Sequence, residues 1–290
     1  MRNFLFFLLI SGLSAQGQTT LFSGSINKVP VEMVTYSFPD GVTRLAYSYT
    51  KFDSPIGASG IFRDGTLVAV EDNGGDSLPS VFELVSSPNN EKELKGKWVS
   101  YSNRLMMDVE LVKSISFDSY DDTQFEGLEI MQLESTREHY FMVVLDKEQG
   151  DGAVAVGVKV YEKGTDTLLQ EFSVECQYIG LENIKMGDFN FDGQMDFSMF
   201  ESSYSGANTS SIYFLKNSTT GKFEESDISG SSLEFDSEKK LIIERNQCCA
   251  GSQEFITSYK WVNNVMVRLE KKCFIYNEEA GGYEETKCDN

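Results

Sequence analysis

Ile61-Phe62-Arg63-Asp64-Gly65-Thr66-Leu67-Val68 is two short apolar runs on either side of Asp-Gly. Asp-Gly accepts positive φ at both central positions of a type I′ turn, the two-residue turn that matches the twist of paired strands. The stretch therefore predicts a β-hairpin. Working outward, turn signals recur at Pro39-Asp40-Gly41, Asp72-Asn73-Gly74-Gly75 and Pro88-Asn89-Asn90. Between them the pattern has period two. Leu45, Tyr47 and Tyr49 alternate with Arg44, Ala46, Ser48 and Thr50, and Leu105, Met107 and Val109 alternate with Met106, Asp108 and Glu110. Alternation of this kind marks half-buried strands. Short strands at even spacing predict an all-β fold, an antiparallel meander over 18–113 that curls into a barrel or sandwich. Trp98, in Gly96-Lys97-Trp98-Val99, is expected to plug its core.

Composition changes over 114–129. Phe117-Asp118-Ser119-Tyr120-Asp121-Asp122 and Glu126-Gly127 are acidic and lack a clear period. We read this stretch as a linker, because its oxygens lack a glycine at the offset a cation loop needs. The β pattern resumes over 130–290. Val154, Val156, Val158 and Val160 are expected on one strand face, and Asn263-Asn264 as a second two-residue turn. No amphipathic helix longer than two turns is evident.

Asp188-Phe189-Asn190-Phe191-Asp192-Gly193-Gln194-Met195-Asp196 carries a chemistry. Side-chain oxygens stand at positions 1, 3, 5 and 9, a glycine at 6, and a backbone carbonyl is available at 7. That is the front of a calcium loop. Asp188, Asn190, Asp192 and Asp196 would supply side-chain oxygens and Gln194 its carbonyl, while Phe189 and Phe191 face the core. Position twelve is Met199, not the bidentate glutamate of an EF-hand, and strands rather than helices flank the loop. A structural Ca2+ is the expectation. The polar segment Ser202–Ser211, with Tyr204, Gly206 and Asn208, is expected to be a long loop offered to a partner.

The formal net charge is −20, with 45 acidic residues. That balance excludes nucleic acid and anionic membrane surfaces as natural partners, since both require basic patches. Met1-Arg2-Asn3, the apolar Phe4–Ile10 and the small residues Ser14-Ala15-Gln16-Gly17 read as a signal peptide over 1–17, so a periplasmic or secreted product is expected. No later stretch is long and apolar enough to cross a membrane. Export favours disulfides among Cys176, Cys248, Cys249, Cys273 and Cys288, with one thiol left over. Counting from the Asn263-Asn264 turn sets Cys273 opposite Glu254. A bridge from Cys273 to Cys248 or Cys249 then requires that segment to fold back, and Cys273–Cys288 stands as an equal alternative. A single histidine, His139, and no Gly-x-Ser-x-Gly argue against a serine-hydrolase triad.

From Asp188 to Phe223 the run Asp-Phe-Asn-Phe-Asp-Gly-x-x-Asp-Phe, then Ser-Gly-x-Asn, Ile-Tyr-Phe-Leu and Thr-Gly-Lys-Phe, resembles the calcium-containing periplasmic proteins related to bacterial lysozyme-inhibitor immunity proteins. Their calcium loop is in turn similar to FG-GAP and integrin-type repeats. The resemblance covers the C-terminal half. It implies an all-β fold, a bound calcium held by Asp188, Asn190, Asp192, Gln194 and Asp196, and inhibition of a peptidoglycan-cleaving enzyme through a surface loop. No inhibitory residue carries over. The leading expectation is an exported, non-enzymatic, calcium-binding β protein that recognises a protein or glycan partner. The alternative is a secreted glycan hydrolase using a carboxylate pair, and a calcium-dependent adhesin is a third reading.

Overall fold

Eight consecutive strands close on themselves in a plain meander. They are β1 (Gln18–Ile26), β2 (Val29–Ser37), β3 (Val42–Tyr49), β4 (Ile56–Arg63), β5 (Thr66–Glu71), β6 (Ser80–Ser87), β7 (Asn90–Ser100) and β8 (Leu105–Phe117). The computed structural model describes residues 17–50, 53–71, 78–87, 90–204 and 207–288. The expected leader, apart from Gly17, lies outside the described residues, as do the turns expected at 72–75 and at Pro88-Asn89.

Each strand pairs antiparallel with the next, and β1 closes the ring by pairing β8, from Thr19↔Phe117 to Ile26↔Val109. The expected turn is present. Arg63 pairs Thr66, and Asp64 and Gly65 have φ of 50° and 72°, both positive as type I′ requires. Closing an eight-stranded barrel forces strands close together at corners. At Gly24 and Gly60 a Cβ would lie 2.0 Å and 1.9 Å from the carbonyl oxygens of Glu110 and Val68, so no side chain fits either place.

The barrel interior is full. Phe22, Ile26, Met33, Leu45, Tyr47, Leu67, Phe82, Leu84 and Leu111 are buried there, with Trp98 packed against them as expected. Towards one end the Tyr47 hydroxyl and the Trp98 Nε1 each donate to Glu71 Oε1 at 2.5 Å. Towards the other, the hydroxyls of Ser37 and Thr43 bond at 2.9 Å.

Three open antiparallel sheets follow. The first is β9 (Phe125–Met131), β10 (His139–Lys147), β11 (Val154–Glu162) and β12 (Thr167–Gln177), in the order β12-β11-β10-β9. The second runs β13 (Ile184–Gly187), β14 (Asp196–Tyr204), β15 (Asn208–Lys216) and β16 (Phe223–Glu225). The third runs β17 (Leu233–Asp236), β18 (Leu241–Cys248), β19 (Gln253–Val262), β20 (Val265–Asn277) and β21 (Gly282–Thr286). No described residue is in an α-helix.

The outside of the barrel and the first two sheets share a second core. Val34, Tyr36, Ala46 and Phe117 on the outside of the barrel join Phe141, Val158, Phe197 and Phe214 from the sheets in a single buried cluster. Ala46 is therefore buried although its neighbours Leu45 and Tyr47 point the opposite way, into the barrel. The segment expected as a linker holds the end of β8 and the start of β9, and Phe117 packs on Phe125 at 4.8 Å. Two of its acidic residues are engaged. Asp118 accepts from the amides of Tyr120 and Asp121, and Asp121 pairs at 3.3 Å with the fully buried ammonium of Lys147.

Two register expectations are corrected, both by bulges. In β11 the pairing jumps from Gly157 to Ala155, so Val156 bulges out and Val154 is exposed while Ala155, Val158 and Val160 are buried. A bulged residue shifts every following side chain by one face. In β20 the pairing jumps between Ser258↔Glu270 and Tyr259↔Arg268, which sets Cys273 opposite Phe255 rather than Glu254. Cys273 is bonded to Cys288, with a Cα–Cα distance of 5.3 Å, which decides between the pairings left open above.

Candidate metal centre and the groove beside it

The loop 188–196 joins β13 to β14, and its first and last residues sit at the ends of paired strands. Its backbone turns sharply. Phe191 has φ of 63° and Gly193 of 88°, and no atom lies near where a Gly193 Cβ would be. The glycine is thus there for its backbone angle rather than for space.

The oxygens expected as ligands turn into the loop. Asp188 accepts from the amides of Asp192 at 3.0 Å and Gly193 at 2.9 Å. Asn190 Oδ1 accepts from the Asp192 amide at 3.0 Å, and Asp192 Oδ1 from the Gln194 amide at 2.7 Å. The Asn190 amide also donates to Asp192 Oδ2 at 3.1 Å. Side chains are therefore pre-set towards one side of the turn, and the donor set is hard oxygen, which suits calcium. Asp196 is placed differently. It is fully buried, and its two oxygens accept from the amides of Phe189 at 2.9 Å and Lys216 at 2.8 Å. Burial pushes its carboxyl up to about 6, the two amides offset part of that, and the charges of Asp192 and Asp188 add to it. Asp196 thus ties the loop to β15 whatever else it does. Among the described residues no group of three or more Asp, Glu, His or Cys already stands in ligating positions. The residue types are those a calcium loop uses, and Asp196 has lone pairs left over from its two amide bonds.

Phe189 anchors the loop as expected. It is buried against Tyr213 and Phe235, with ring centroids 5.0 Å and 4.8 Å away. Phe191 is only half-buried, 6.3 Å from Phe235. This small cluster, completed by Ile228, Trp261 and Met266, joins the second sheet to the third. Lys240, from the β17–β18 turn, donates to the Phe191 carbonyl at 3.1 Å. The candidate ion loop is therefore also the joint between two sheets.

The open recognition loop expected over Ser202–Ser211 is corrected. Strand β14 continues to Tyr204 and β15 begins at Asn208, so most of the segment is a hairpin ladder. Asn208 is buried. Its amide nitrogen donates to the Gln247 carbonyl at 2.7 Å and its oxygen accepts from the Gln247 amide at 2.9 Å, which commits it to β18. Tyr204 stays at the surface, 43 % exposed, with its hydroxyl bonded to Ser231 at 3.1 Å. Gly206 lies outside the described residues.

Sequence reasoning missed a groove of about 480 Å³ whose wall is the ion loop itself. Asn190 and Asp192 belong to its lining together with Lys216, Glu224, Glu225, Asp227, Trp261 and Asn264. Four carboxylates and one ammonium line it. The Asn263-Asn264 turn that contributes to it was legible, with φ of 52° and 62°. Its nearness to a loop seventy residues earlier was not.

A carboxylate cluster lies elsewhere, between the barrel and the first sheet. Glu32, Asp53 and Asp166 surround a pocket of about 90 Å³ with Tyr140 and Met142. Asp53 accepts from the Gly164 amide at 2.9 Å and Asp166 from the Tyr140 hydroxyl at 3.0 Å, so both carboxyls tie neighbouring turns and strands together.

Neither a family model nor a curated protein matches this chain. Among solved structures the chain is similar to a Xanthomonas type IV secretion system related protein. The match covers 92 % of this chain and 99 % of the other, at 11 % identity and a TM-score of 0.29. A likeness that weak carries no argument about fold or function.

Proposed function

We propose that this chain is an exported, calcium-stapled β protein that binds a protein partner outside the cytoplasm through the groove beside the ion loop. One observation carries the reading. The groove shares Asn190 and Asp192 with the candidate calcium loop and adds Trp261, an amphipathic ring of the type enriched where partners dock. Calcium would supply charge to fix the loop, and this chain's own residues would then hold the groove wall in one shape. The excess of carboxylates over Lys216 favours a cationic partner, and the net charge of −20 would steer one in. A basic peptidoglycan-cleaving enzyme is such a partner, and its inhibition is the activity that the family resemblance implies.

The test is calorimetric binding to a panel of lysozyme-type enzymes, with calcium and after chelation. Trp261→Ala should abolish binding, and chelation should weaken it, while Tyr204→Ala should leave it unchanged. Binding that survives Trp261→Ala but is lost with Tyr204→Ala would move recognition to the β14–β15 hairpin and sink the groove reading. Release of reducing ends from peptidoglycan by the chain alone would instead favour the hydrolase.

A further inference from the structure

Five cysteines divide unevenly in this fold. Cys273 and Cys288 are bridged, and Cys176 is buried in the main core, where burial pushes its thiol up to about 12. A thiol so shielded takes little part in exchange. Two remain, Cys248 and Cys249, adjacent in sequence and at the surface. Cys249 is exposed and Cys248 half-buried.

Their sulfurs are 2.8 Å apart. That is nearer than two unbonded sulfurs rest, although longer than the bond of about 2.05 Å. The turn that carries them brings this about. Cys248 ends β18 in an extended conformation, and Cys249, Ala250 and Gly251 follow with φ of 57°, 56° and 81°. Two non-glycine residues in succession in the left-handed region are strained, because each Cβ crowds the following carbonyl. The surroundings hold the turn in place. The Tyr283 hydroxyl donates to the Gly251 carbonyl at 2.5 Å, and the Tyr276 amide to the Ser252 carbonyl at 2.8 Å. The Cys248 thiol donates a hydrogen bond to Gln253 Oε1 at 3.5 Å, leaving the exposed Cys249 as the sulfur that faces solvent.

We propose that Cys248 and Cys249 are a redox-active pair that closes into a vicinal disulfide by exchange with a protein or small-molecule disulfide outside the cytoplasm. The Cys249 thiolate attacks one sulfur of that disulfide and expels the other as a thiolate, which takes up a proton. The Cys248 thiolate then attacks the Cys249 sulfur of the mixed disulfide and expels the second thiol. One S–S bond forms, one breaks, and the oxidant leaves as two thiols. The ring so formed is unusual. Adjacent Cα atoms stand about 3.8 Å apart across a trans peptide, below the usual bridge range of about 4.4–6.8 Å. A constrained, exposed bridge of this kind reopens more readily than an ordinary one. It therefore behaves as a switch, whereas Cys273–Cys288 behaves as a fixture.

The pair's position gives the switch something to act on. Gln247, the residue before Cys248, makes both hydrogen bonds that bury Asn208 at the start of β15. Closing the ring re-sets the backbone one residue away from that clasp. It thereby adjusts how the tip of the β14–β15 hairpin, with Tyr204, is held against the third sheet.

The experiment uses the purified full chain in glutathione buffers of graded ratio, quenched by acid, alkylated and digested with trypsin. The peptide Asn246–Lys260 contains Cys248 and Cys249 and no other cysteine, and cleavage after Lys287 separates Cys273 from Cys288. In oxidising buffer this peptide should be unalkylated and lighter by two hydrogens. It should open at a reductant concentration at least about tenfold lower than the Cys273–Cys288 link, the direction that its tighter ring implies. Alkylation of both its cysteines in oxidising buffer, a lasting glutathione adduct, or a link to Cys176 or to a second chain would each overturn the proposal. So would a closed ring that resists reduction as well as Cys273–Cys288 does.

Discussion

The barrel and the ion-loop region solve the same problem in different ways. In the barrel every strand, including β1 and β8, has a hydrogen-bonded neighbour on both sides, so closure comes from backbone pairing alone. Beyond β8 the chain makes three open sheets of four, four and five strands, each with two edges. They are held to one another by side chains, as at the Phe189 joint, and the Cys273–Cys288 bridge fastens the chain end within the third sheet. A closed ring needs nothing from outside. Open sheets joined at a loop of three aspartates gather charge at their joint, so sensitivity to ions, redox state and pH should concentrate in the second region.

The largest effect should come from breaking the ring from within. Phe82 is fully buried and packs edge-to-face on Tyr47 at 5.1 Å. Phe82→Ala should cost about 3–5 kcal/mol, the range for truncating a buried aromatic. Urea denaturation measures it, and the loss should be the same with calcium or with chelator. A loss that grew when calcium was removed would mean that the barrel also depends on the ion.

Calcium should come next. At a free concentration a hundredfold above its Kd, an ion bound only by the folded chain stabilises it by about 2.7 kcal/mol. The melting temperature of a thoroughly chelated sample should therefore rise on adding calcium. Asp192→Asn, which keeps an oxygen for the Gln194 amide, should remove most of the rise. No response to calcium in the unaltered chain would sink the staple and leave 188–196 as an Asx-rich turn.

The contrast between the regions also explains what could be read in advance. Local rules succeeded where neighbours in sequence decide the outcome. Asp64-Gly65 and Asn263-Asn264 sit in the expected turns because their φ preferences act within the turn itself. Phe189 is buried because alternation in a short loop sends it away from Asp188 and Asn190. Rules failed where a distant partner decides. Nothing near Asn208 signals that Gln247, 39 residues on, will bury it. Val156 reads as one of four equivalent valines until the pairing of Val144 with Gly157 pushes it out of line. The barrel's closure and the groove beside the ion loop belong with these, because each depends on which remote strands meet. The spacing of oxygens along 188–196 was legible as a pattern, whereas the double amide grip on Asp196 depends on Lys216 and was not.

The smallest effect probes the seam between the regions. Asp53 lies between β3 and β4, is buried, and accepts from the Gly164 amide at 2.9 Å. Asp166, in the turn between β11 and β12, accepts from the Tyr140 hydroxyl at 3.0 Å. Burial raises the Asp53 carboxyl above its usual range. The Gly164 amide and the nearby Lys163 pull it down, and Asp166 pushes it further up. Glu32 beside them is raised for the same reasons, burial first and then the charges of Asp166 and Asp53. Lys163 is itself pushed down by burial, so it offers limited relief. The sign follows from linkage. The unfolded chain ionises near the ordinary aspartate value of about 3.9, while the folded chain resists ionisation to higher pH. The seam's contribution is therefore complete below that value and is lost as pH rises through the raised folded pKa. A net charge of −20 lowers stability in the same direction across the whole molecule, so the slope of the unaltered chain alone decides nothing. Asp53→Asn isolates the seam, since its side-chain oxygen can still accept from Gly164 but carries no charge. Thermal melts of the calcium-saturated protein from about pH 4 to pH 7 should show the variant gaining on the unaltered chain as pH rises. A gain confined to pH 4, or parallel slopes, would mean that the Asp53 carboxyl carries no pH-dependent share of the seam's stability.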